Sequence, residues 1–416
     1  MKKARVGVVG VGRGAMMFQY CKVAENAEIV AICDKWEEGL RRAEKKLEGA
    51  QIAYYTDYDE FLGHDMDVVL LANYANEHTP FAIKAMNAGF HVISEVLPAQ
   101  NMAEAVELIE CVEKTGKIYC YAENYCYMRA PHEMRRRYRA GDIGELEYAE
   151  GEYIHNCEPI WIDITYGEPD HWRNLMHTFF YCTHSFGPIV HITGLRPVSV
   201  VGFELPYNDR MARMGCRKGG GAIEMITMEN GAVVKSAHGD MSKNSIWYTV
   251  YGQKGRMESA REDAEVGGVD MFYMNRDEVA GVWRNEVEAY RPGDEEGGKS
   301  EAFGHGGSDY HCLYQAIEYV NGNKDADVID VYEAVDMWLP GMFAYFSAQD
   351  GCVPKAIPNL RNPEEREPYR GDRRCSDPKA AGDQLFTPYT RGEVEIPDEV
   401  YAKQREEWLR RLKEKK

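Results

Sequence analysis

A glycine-rich turn near the start constrains this chain more than any other feature. Lys3-Ala4-Arg5-Val6-Gly7-Val8-Val9 is largely apolar and reads as a buried strand, and it runs straight into Gly10-Val11-Gly12-Arg13-Gly14-Ala15. A helical pattern continues to about Ala24. A second apolar run, Ile29-Val30-Ala31-Ile32-Cys33, ends on Asp34, 20 residues after Gly14. Strand, glycine turn, helix, strand and acid in this order form a dinucleotide fingerprint in its full context. Gly10 permits the tight turn, Gly12 lets backbone approach a pyrophosphate, and Ala15 is small enough for helix and strand to pack closely. Free N–H groups and the dipole at the helix start hold the phosphates, with Arg13 and Gly14 in the same turn.

Asp34 bears on the cofactor. A carboxylate at the end of the second strand accepts hydrogen bonds from both ribose hydroxyls and repels a 2′-phosphate, which favours NAD over NADP. Lys35 and Arg13 leave the other choice open, since either could neutralise a phosphate.

At 416 residues the chain is long enough for two domains and an appendage. The net charge of −19 argues against nucleic acid or an anionic membrane as the main partner. No apolar run approaches a membrane span. Met1-Lys2-Lys3-Ala4 leads directly into a strand, so no signal peptide is expected. The 11 cysteines are scattered without CxxC pairs, which fits reduced thiols in the cytoplasm.

Up to about Ala122 strands and helices alternate. Met66–Ala72, Phe90–Glu95 and Lys117–Tyr121 read as strands, and Thr79–Ala88 and Asn101–Thr115 as helices, a pattern that implies a parallel, doubly wound sheet. The texture then changes. Pro131–Ala140 reads as a basic helix whose Arg135, Arg136 and Arg137 suit a solvated or interface face. Leu146–His155, Val198–Glu204, Ala222–Glu229, Ala232–His238 and Ser245–Tyr251 read as longer strands, with a hairpin turn at Glu229-Asn230-Gly231-Ala232. Gly293–Gly307 is loop-rich, and helices are expected over Asp309–Asn321, Val331–Ala348 and Pro397–Lys416. The expected fold is α/β: an N-terminal Rossmann doubly wound parallel sheet over 1–123, then an α+β domain with a large, mostly antiparallel open sheet over 124–355. A C-terminal arm over 356–416 has no evident core of its own.

The fingerprint, the strand ending in Asp34, the segment Glu95-Val96-Leu97-Pro98 and the mixed second domain together resemble the Gfo/Idh/MocA oxidoreductases over about residues 4 to 355. That resemblance implies a two-domain, NAD(P)-dependent enzyme acting on sugars or polyols. A narrower similarity lies in Glu123–Arg129, Gly151–His155, Tyr181-Cys182-Thr183-His184-Ser185-Phe186-Gly187-Pro188 and His305–Tyr310. These segments look like those of the branch containing NAD-dependent glycosidases of the α-N-acetylgalactosaminidase type, glycoside hydrolase family 109. Many family members carry Glu-Lys-Pro after the fourth strand, and that lysine assists catalysis. Here Val96 follows Glu95, as in the branch, so proton transfer must come from elsewhere.

Oxidising a sugar hydroxyl requires a base for its proton. His184, Tyr181 and Tyr153 are the candidates. The resemblance matches His184 and Tyr153 to active-site residues of the branch, although a lone histidine is also a common core residue. Tyr181 lies one helical turn before His184, and Tyr153 and His155 share one face of a strand. Glu123 and Asn124 end a strand at the carboxyl edge where ligands bind, and Glu123 can hold sugar hydroxyls or share a proton with His184; it can equally cap the next helix. Glu95 could contact the nicotinamide ribose. Asn73, Asn76 and His78 follow the third strand, where the family contacts its cofactor. Asn124 and the Trp172-Arg173 pair complete the candidate cofactor contacts. Glu123, Tyr153, His155 and Tyr310 are candidate substrate contacts, with Ser308 or Asp309 a plausible helix cap. No HxxxH or HExxH pair is present, so no metal is expected.

The leading expectation is an NAD-dependent carbohydrate oxidoreductase that oxidises a secondary hydroxyl, at C3 of a sugar or glycoside. One alternative is a glycosidase in which transient C3 oxidation acidifies the C2 proton, the C1 group is eliminated, water adds and the ketone is reduced again. A non-catalytic NAD-binding sensor is the alternative of another class. A homo-oligomer, dimer or tetramer, is expected, either through an exposed sheet face or through the arm.

Overall fold

The computed structural model describes residues 3–261, 272–277, 285–293 and 298–414. Six strands form the first sheet: β1 (Ala4–Val9), β2 (Ala27–Cys33), β3 (Ala53–Tyr55), β4 (Val68–Leu71), β5 (His91–Ser94) and β6 (Tyr119–Tyr121). Their order is β3-β2-β1-β4-β5-β6, and every pair is parallel. Helices cover both faces, which is why β4, and β1 beyond Arg5, are continuous apolar runs rather than alternating ones. The strand order reverses between β1 and β4. A crevice therefore opens beyond their carboxyl ends, with the glycine turn on one side and Asn73 on the other. Gly10 sits there at φ +94°, and a Cβ on it would lie 2.4 Å from the Ala72 carbonyl oxygen. β3 and the helix Glu37–Lys46 were not anticipated: one is three residues long and the other carries almost no apolar side chain.

The second sheet has nine strands: β7 (Leu146–Ile154), β8 (Pro197–Glu204), β9 (Gly221–Met228), β10 (Val233–Gly239), β11 (Ser245–Gly252), β12 (Gly255–Ser259), β13 (Phe272–Asp277), β14 (Asn285–Tyr290) and β15 (Lys355–Ala356). All pairs are antiparallel except β10 with β7. This is the expected α/β architecture, a parallel Rossmann sheet followed by a mostly antiparallel one. One face packs against the helices Cys182–Thr193 and Val331–Gln349, both almost wholly buried. Gly151 in β7 makes that packing close, since a Cβ there would fall 1.8 Å from the Ser185 carbonyl oxygen. The predicted hairpin turns at Gly231, φ +88°.

Two expectations change. The basic helix, Arg129–Arg139, does not present a solvated arginine row. Arg135 is buried and grips Asp327, and Arg137 joins Glu133, Asp142 and Glu288. Buried guanidinium groups are kept by such partners. The C-terminal arm packs along its own chain. Arg366, Arg370 and Arg373 pair with Glu113, Glu110 and Glu107 on one face of the helix Met102–Thr115. The arm ends in the helix Asp398–Glu414. Within the loop-rich stretch 293–307, residues 294–297 lie outside the described residues, as do 415–416 at the chain end.

Candidate active site

The crevice beside β1 meets the covered face of the second sheet, and a cavity of about 340 Å³ lies between them. Its wall holds Asn73, His78, Glu95 and Asn124 from the first sheet's loops, and Tyr153, His155, Trp172, Arg173, Tyr181 and His184 from the second part of the chain.

His184 is in the first turn of the helix Cys182–Thr193, directly after Tyr181 at its N-cap position. Its Nδ1 is 2.7 Å from Glu123 Oε1, which assigns the ring proton to Nδ1 and leaves Nε2 as an acceptor. Glu123 lies at the end of β6, fully buried, and the same Oε1 accepts from the Tyr125 N–H. It is therefore both the cap foreseen from sequence and the partner of the histidine. Its other oxygen is buried with no partner among the described residues. Three tyrosines enclose the imidazole: Tyr125 at 4.5 Å, Tyr153 at 4.6 Å and Tyr181 at 5.3 Å between ring centroids. The close approach at Gly151 is what brings Tyr153, two residues further along β7, against this helix. Tyr153 and His155 stack on one face as expected. Burial pushes the Tyr153 hydroxyl far above its ordinary value. It also raises Tyr181, against the lowering effect of Arg173. Both phenols are thus protonated donors near neutral pH, and the imidazole is the group suited to accept a proton.

The dinucleotide elements fit a cofactor. A Cβ on Gly12 would meet nothing within 4 Å, so the backbone faces open space where a pyrophosphate would approach. Asp34 accepts from the backbone N–H groups of Val11 and Trp36 at 2.7 and 2.8 Å, which fixes its carboxylate at the rim of the turn. Lys35 is engaged by Glu77 and lies over the Tyr74 ring, and Arg13 is turned inward, so neither stands ready for a 2′-phosphate. Asp34→Ala should weaken NAD relative to NADP, each tenfold change in the affinity ratio being about 1.4 kcal/mol. Titration of both dinucleotides measures this, and an unchanged ratio would overturn the role given to Asp34.

Arg13 departs from its expected place at the phosphates. Its Nε binds Glu95 at 2.7 Å, and its two terminal nitrogens bind Asp309 at 2.9 and 2.7 Å. Asn124 donates to the same Asp309 at 2.8 Å, and His305 lies 3.1 Å away. Burial pushes Asp309 up, but hydrogen bonds from His305 and Arg13 outweigh it and hold the carboxylate below its usual range. Arg13, Glu95, Asn124 and Asp309 thus form a cross-brace between the glycine turn and the helix Ser308–Val320. Asn76 is also committed elsewhere, donating to Asp377. Asn73 donates to Glu77, and His78 contacts the Leu97 carbonyl; Asn73 Oδ1 and His78 Nε2 have no partner among the described residues. Trp172 and Arg173 stand with Tyr181 at the second-sheet side rather than at the glycine turn, Arg173 being 4.4 Å from the Trp172 ring and 5.6 Å from that of Tyr181. Tyr310 misses the cavity altogether. It is fully buried against Tyr20 and Phe303, because its helix turns that face into the core.

Sequence reasoning passed over Tyr125, although it stands inside the Glu123–Arg129 segment. It also passed over the buried Lys218–Asp240 pair, 2.8 Å apart in the cavity wall, and over His238 beside it. Among the described residues, no group of three or more His, Cys, Asp or Glu is placed to hold a metal ion, and no helix is long and apolar enough to cross a membrane.

Residues 4–123 match the model of the oxidoreductase family with the NAD-binding Rossmann fold. Over 401 residues the chain is 27% identical to a glycosyl hydrolase family 109 protein of Saccharopolyspora erythraea, covering 88% of this chain and 85% of that one. It is 25% identical to glycosyl hydrolase family 109 protein 1 of Bacteroides thetaiotaomicron, over 86% of this chain and 85% of the relative. An oxidoreductase domain protein from Kribbella flavida shares the fold with TM-score 0.70 at 18% identity, and levoglucosan dehydrogenase, in complex with NADH and L-sorbose, does so with TM-score 0.68 at 17% identity. Each covers 86% of this chain and 100% of its own. Residues 4–123 are thus similar to the Gfo/Idh/MocA oxidoreductase family with the NAD-binding Rossmann fold, and along most of its length the chain is similar to glycosyl hydrolase family 109 proteins.

Proposed function

We propose that this chain is an NAD-dependent carbohydrate enzyme in which His184 removes the proton from a secondary hydroxyl, at C3, of a sugar or glycoside held in the cavity. The observation that carries the reading is the buried His184–Glu123 pair, with Nε2 free to accept and a ring of protonated phenols around it. NAD, when bound, supplies the hydride acceptor. Glu123 orients the imidazole through Nδ1 and stabilises the imidazolium that forms, while Tyr153 and Tyr181 donate hydrogen bonds to substrate oxygens. Trp161 and Trp172 offer faces to a sugar ring, and Arg173, with no carboxylate partner among the described residues, offers a cation to its hydroxyls. In this reading residues 1–123 hold the cofactor, 124–355 the substrate and a subunit contact, and 356–416 brace the two.

The second reading is net glycoside hydrolysis, favoured by the family 109 relatives and by Val96, which lines the cavity where many family members carry lysine. It uses the same base on the same hydroxyl, then adds removal of the C2 proton and loss of the C1 group. Incubating the purified protein with NAD and a panel of sugars and aryl glycosides tests both. Stoichiometric NADH marks the dehydrogenase and hydrolysis without net NADH the glycosidase; neither, with NAD bound, would overturn the enzymatic reading.

The outer face of the second sheet supports self-association. Phe203, Val233 and Tyr251 are exposed on three of its strands. Light scattering should give a multiple of 47.4 kDa, and a monomer at working concentration would overturn this. The 11 cysteines form no disulfide, which supports a reducing, cytoplasmic setting.

A further inference from the structure

Beyond Trp161 the cavity wall continues into a segment, residues 166–171, that the proposed reaction does not use. The short helix Trp161–Thr165 contributes Trp161 and Ile164 to the cavity and ends at Tyr166, φ +60°. Residues 166–171 then cross toward the first sheet. His171 packs on Tyr74 of the β4 loop at 4.7 Å, and Lys35, the neighbour of Asp34, lies 4.2 Å above that same Tyr74 ring. On its other side His171 meets Tyr166 at 5.9 Å, and Tyr166 meets Trp408 of the C-terminal helix at 5.4 Å. A continuous line of side chains, Lys35–Tyr74–His171–Tyr166–Trp408, therefore joins the Asp34 rim of the cofactor groove to the last helix of the chain. Burial and then the Asp34 carboxylate raise the Tyr166 hydroxyl, which agrees with this proximity.

The C-terminal helix is fastened to this segment at several points. Arg405 donates to the Tyr166 carbonyl at 3.1 Å, and Arg411 pairs with Asp163 at 2.9 Å. A Cβ on Gly167 would lie 2.3 Å from the Arg405 backbone nitrogen, so the two backbones touch. The helix in turn is anchored to the second part of the chain by Tyr401, which donates to the Gly215 carbonyl, and by Gln404, which donates to the Arg213 carbonyl, both at 2.8 Å. Elsewhere it faces solvent, Leu409 being 41% exposed.

We propose that the C-terminal helix Asp398–Glu414 is a latch that holds residues 166–171 across the Asp34 end of the cofactor groove, so that the dinucleotide leaves only when this strap lifts. The strap joins elements from both sheets, and its release requires the Tyr166–Trp408 and Arg405 contacts to break first. The inference deepens the reading above by supplying cofactor retention; it rests on NAD binding alone and is independent of the sugar. Retention matters most for a cycle in which the ketone must be reduced again before the cofactor escapes.

The test is the dissociation rate of NADH, followed by its fluorescence after dilution into excess NAD, in the full chain. The double variant Arg405→Ala/Trp408→Ala should release NADH about tenfold faster, as expected for loss of one ring contact and one charge-assisted hydrogen bond. Leu409→Ala, on the exposed side of the same helix, should leave the rate unchanged. An unaltered rate in a double variant that keeps the wild-type circular dichroism overturns the latch. Hydrogen exchange on the wild-type chain decides the matter if the variant does not fold: NAD should protect 163–171 and 398–414 together, and protection confined to the glycine turn overturns it. A failure to bind NAD at all would reject the groove itself, which these two results keep separate.

Discussion

His184→Ala should lower turnover by roughly a hundredfold to ten-thousandfold, the usual worth of a positioned acid–base group, while NAD binding persists. The separation follows from geometry. The cradle proposed for the phosphates is built from Gly10, Gly12 and the helix behind them, whereas His184 stands on a helix of the second part of the chain and pairs with Glu123 at the end of the first sheet's last strand. Glu123→Gln makes the complementary prediction. The glutamine keeps an acceptor for the Tyr125 N–H but removes the charge that stabilises the imidazolium, so turnover should fall and its pH profile should move, again with NAD affinity intact. Steady-state kinetics with dinucleotide titrations measure both. Near-normal turnover in a folded His184→Ala variant would make His184 a packing residue and pass the role of base to Tyr153 or Tyr181. Their raised hydroxyls argue against that outcome, because a phenol held well above neutral is a poor base at pH 7.

How much of this was visible in the sequence depended on how local each signal was. The fingerprint is local, and its strand, turn, helix and acid stand where their order implied. The placement of His184 beside Tyr181 is also local, one turn of helix. What stayed hidden was the pairing of distant charges. Arg13 sits in the glycine turn and reads as a phosphate contact, yet Asp309, 296 positions away, claims its guanidinium. Arg135 reads as surface and is buried on Asp327. Tyr310 directly follows Asp309, which grips Arg13, but helical rotation by one residue turns its own side chain into the core. The parallel pairing of β10 with β7 was equally invisible, since strand composition carries no pairing direction. A residue's type and neighbours show what it can do. Which long-range partner it meets depends on how whole elements pack.

Replacing a buried histidine that holds no hydrogen bond should make the protein more acid-resistant, and His177→Phe is the clearest case. His177 is 2% exposed, neither ring nitrogen has a partner among the described residues, and the ring stacks on Tyr345 at 4.1 Å with planes 5° apart. Burial, followed by the nearby Lys218, holds its pKa down to about 3. An unfolded histidine titrates near 6.5. The folded value lies below the unfolded one, so between these limits the unfolded chain binds a proton that the folded chain refuses. Stability from this group is fully present above about pH 6.5 and is lost as pH falls toward about 3, at up to about 1.4 kcal/mol per pH unit. Other groups titrate in the same range, and some oppose it. His191 and Glu104 are raised, and each favours the folded chain as the solution becomes acidic. Comparing one variant with the wild type cancels these contributions. A phenyl ring preserves the stack on Tyr345 and removes the titration. The stability difference between His177→Phe and the wild type should therefore shift in favour of the variant by about 3 kcal/mol between pH 7 and pH 4. Urea unfolding at the two pH values measures it. A pH-independent difference would mean that the folded protein already carries the proton on this ring, and that burial at His177 does not exclude the charge.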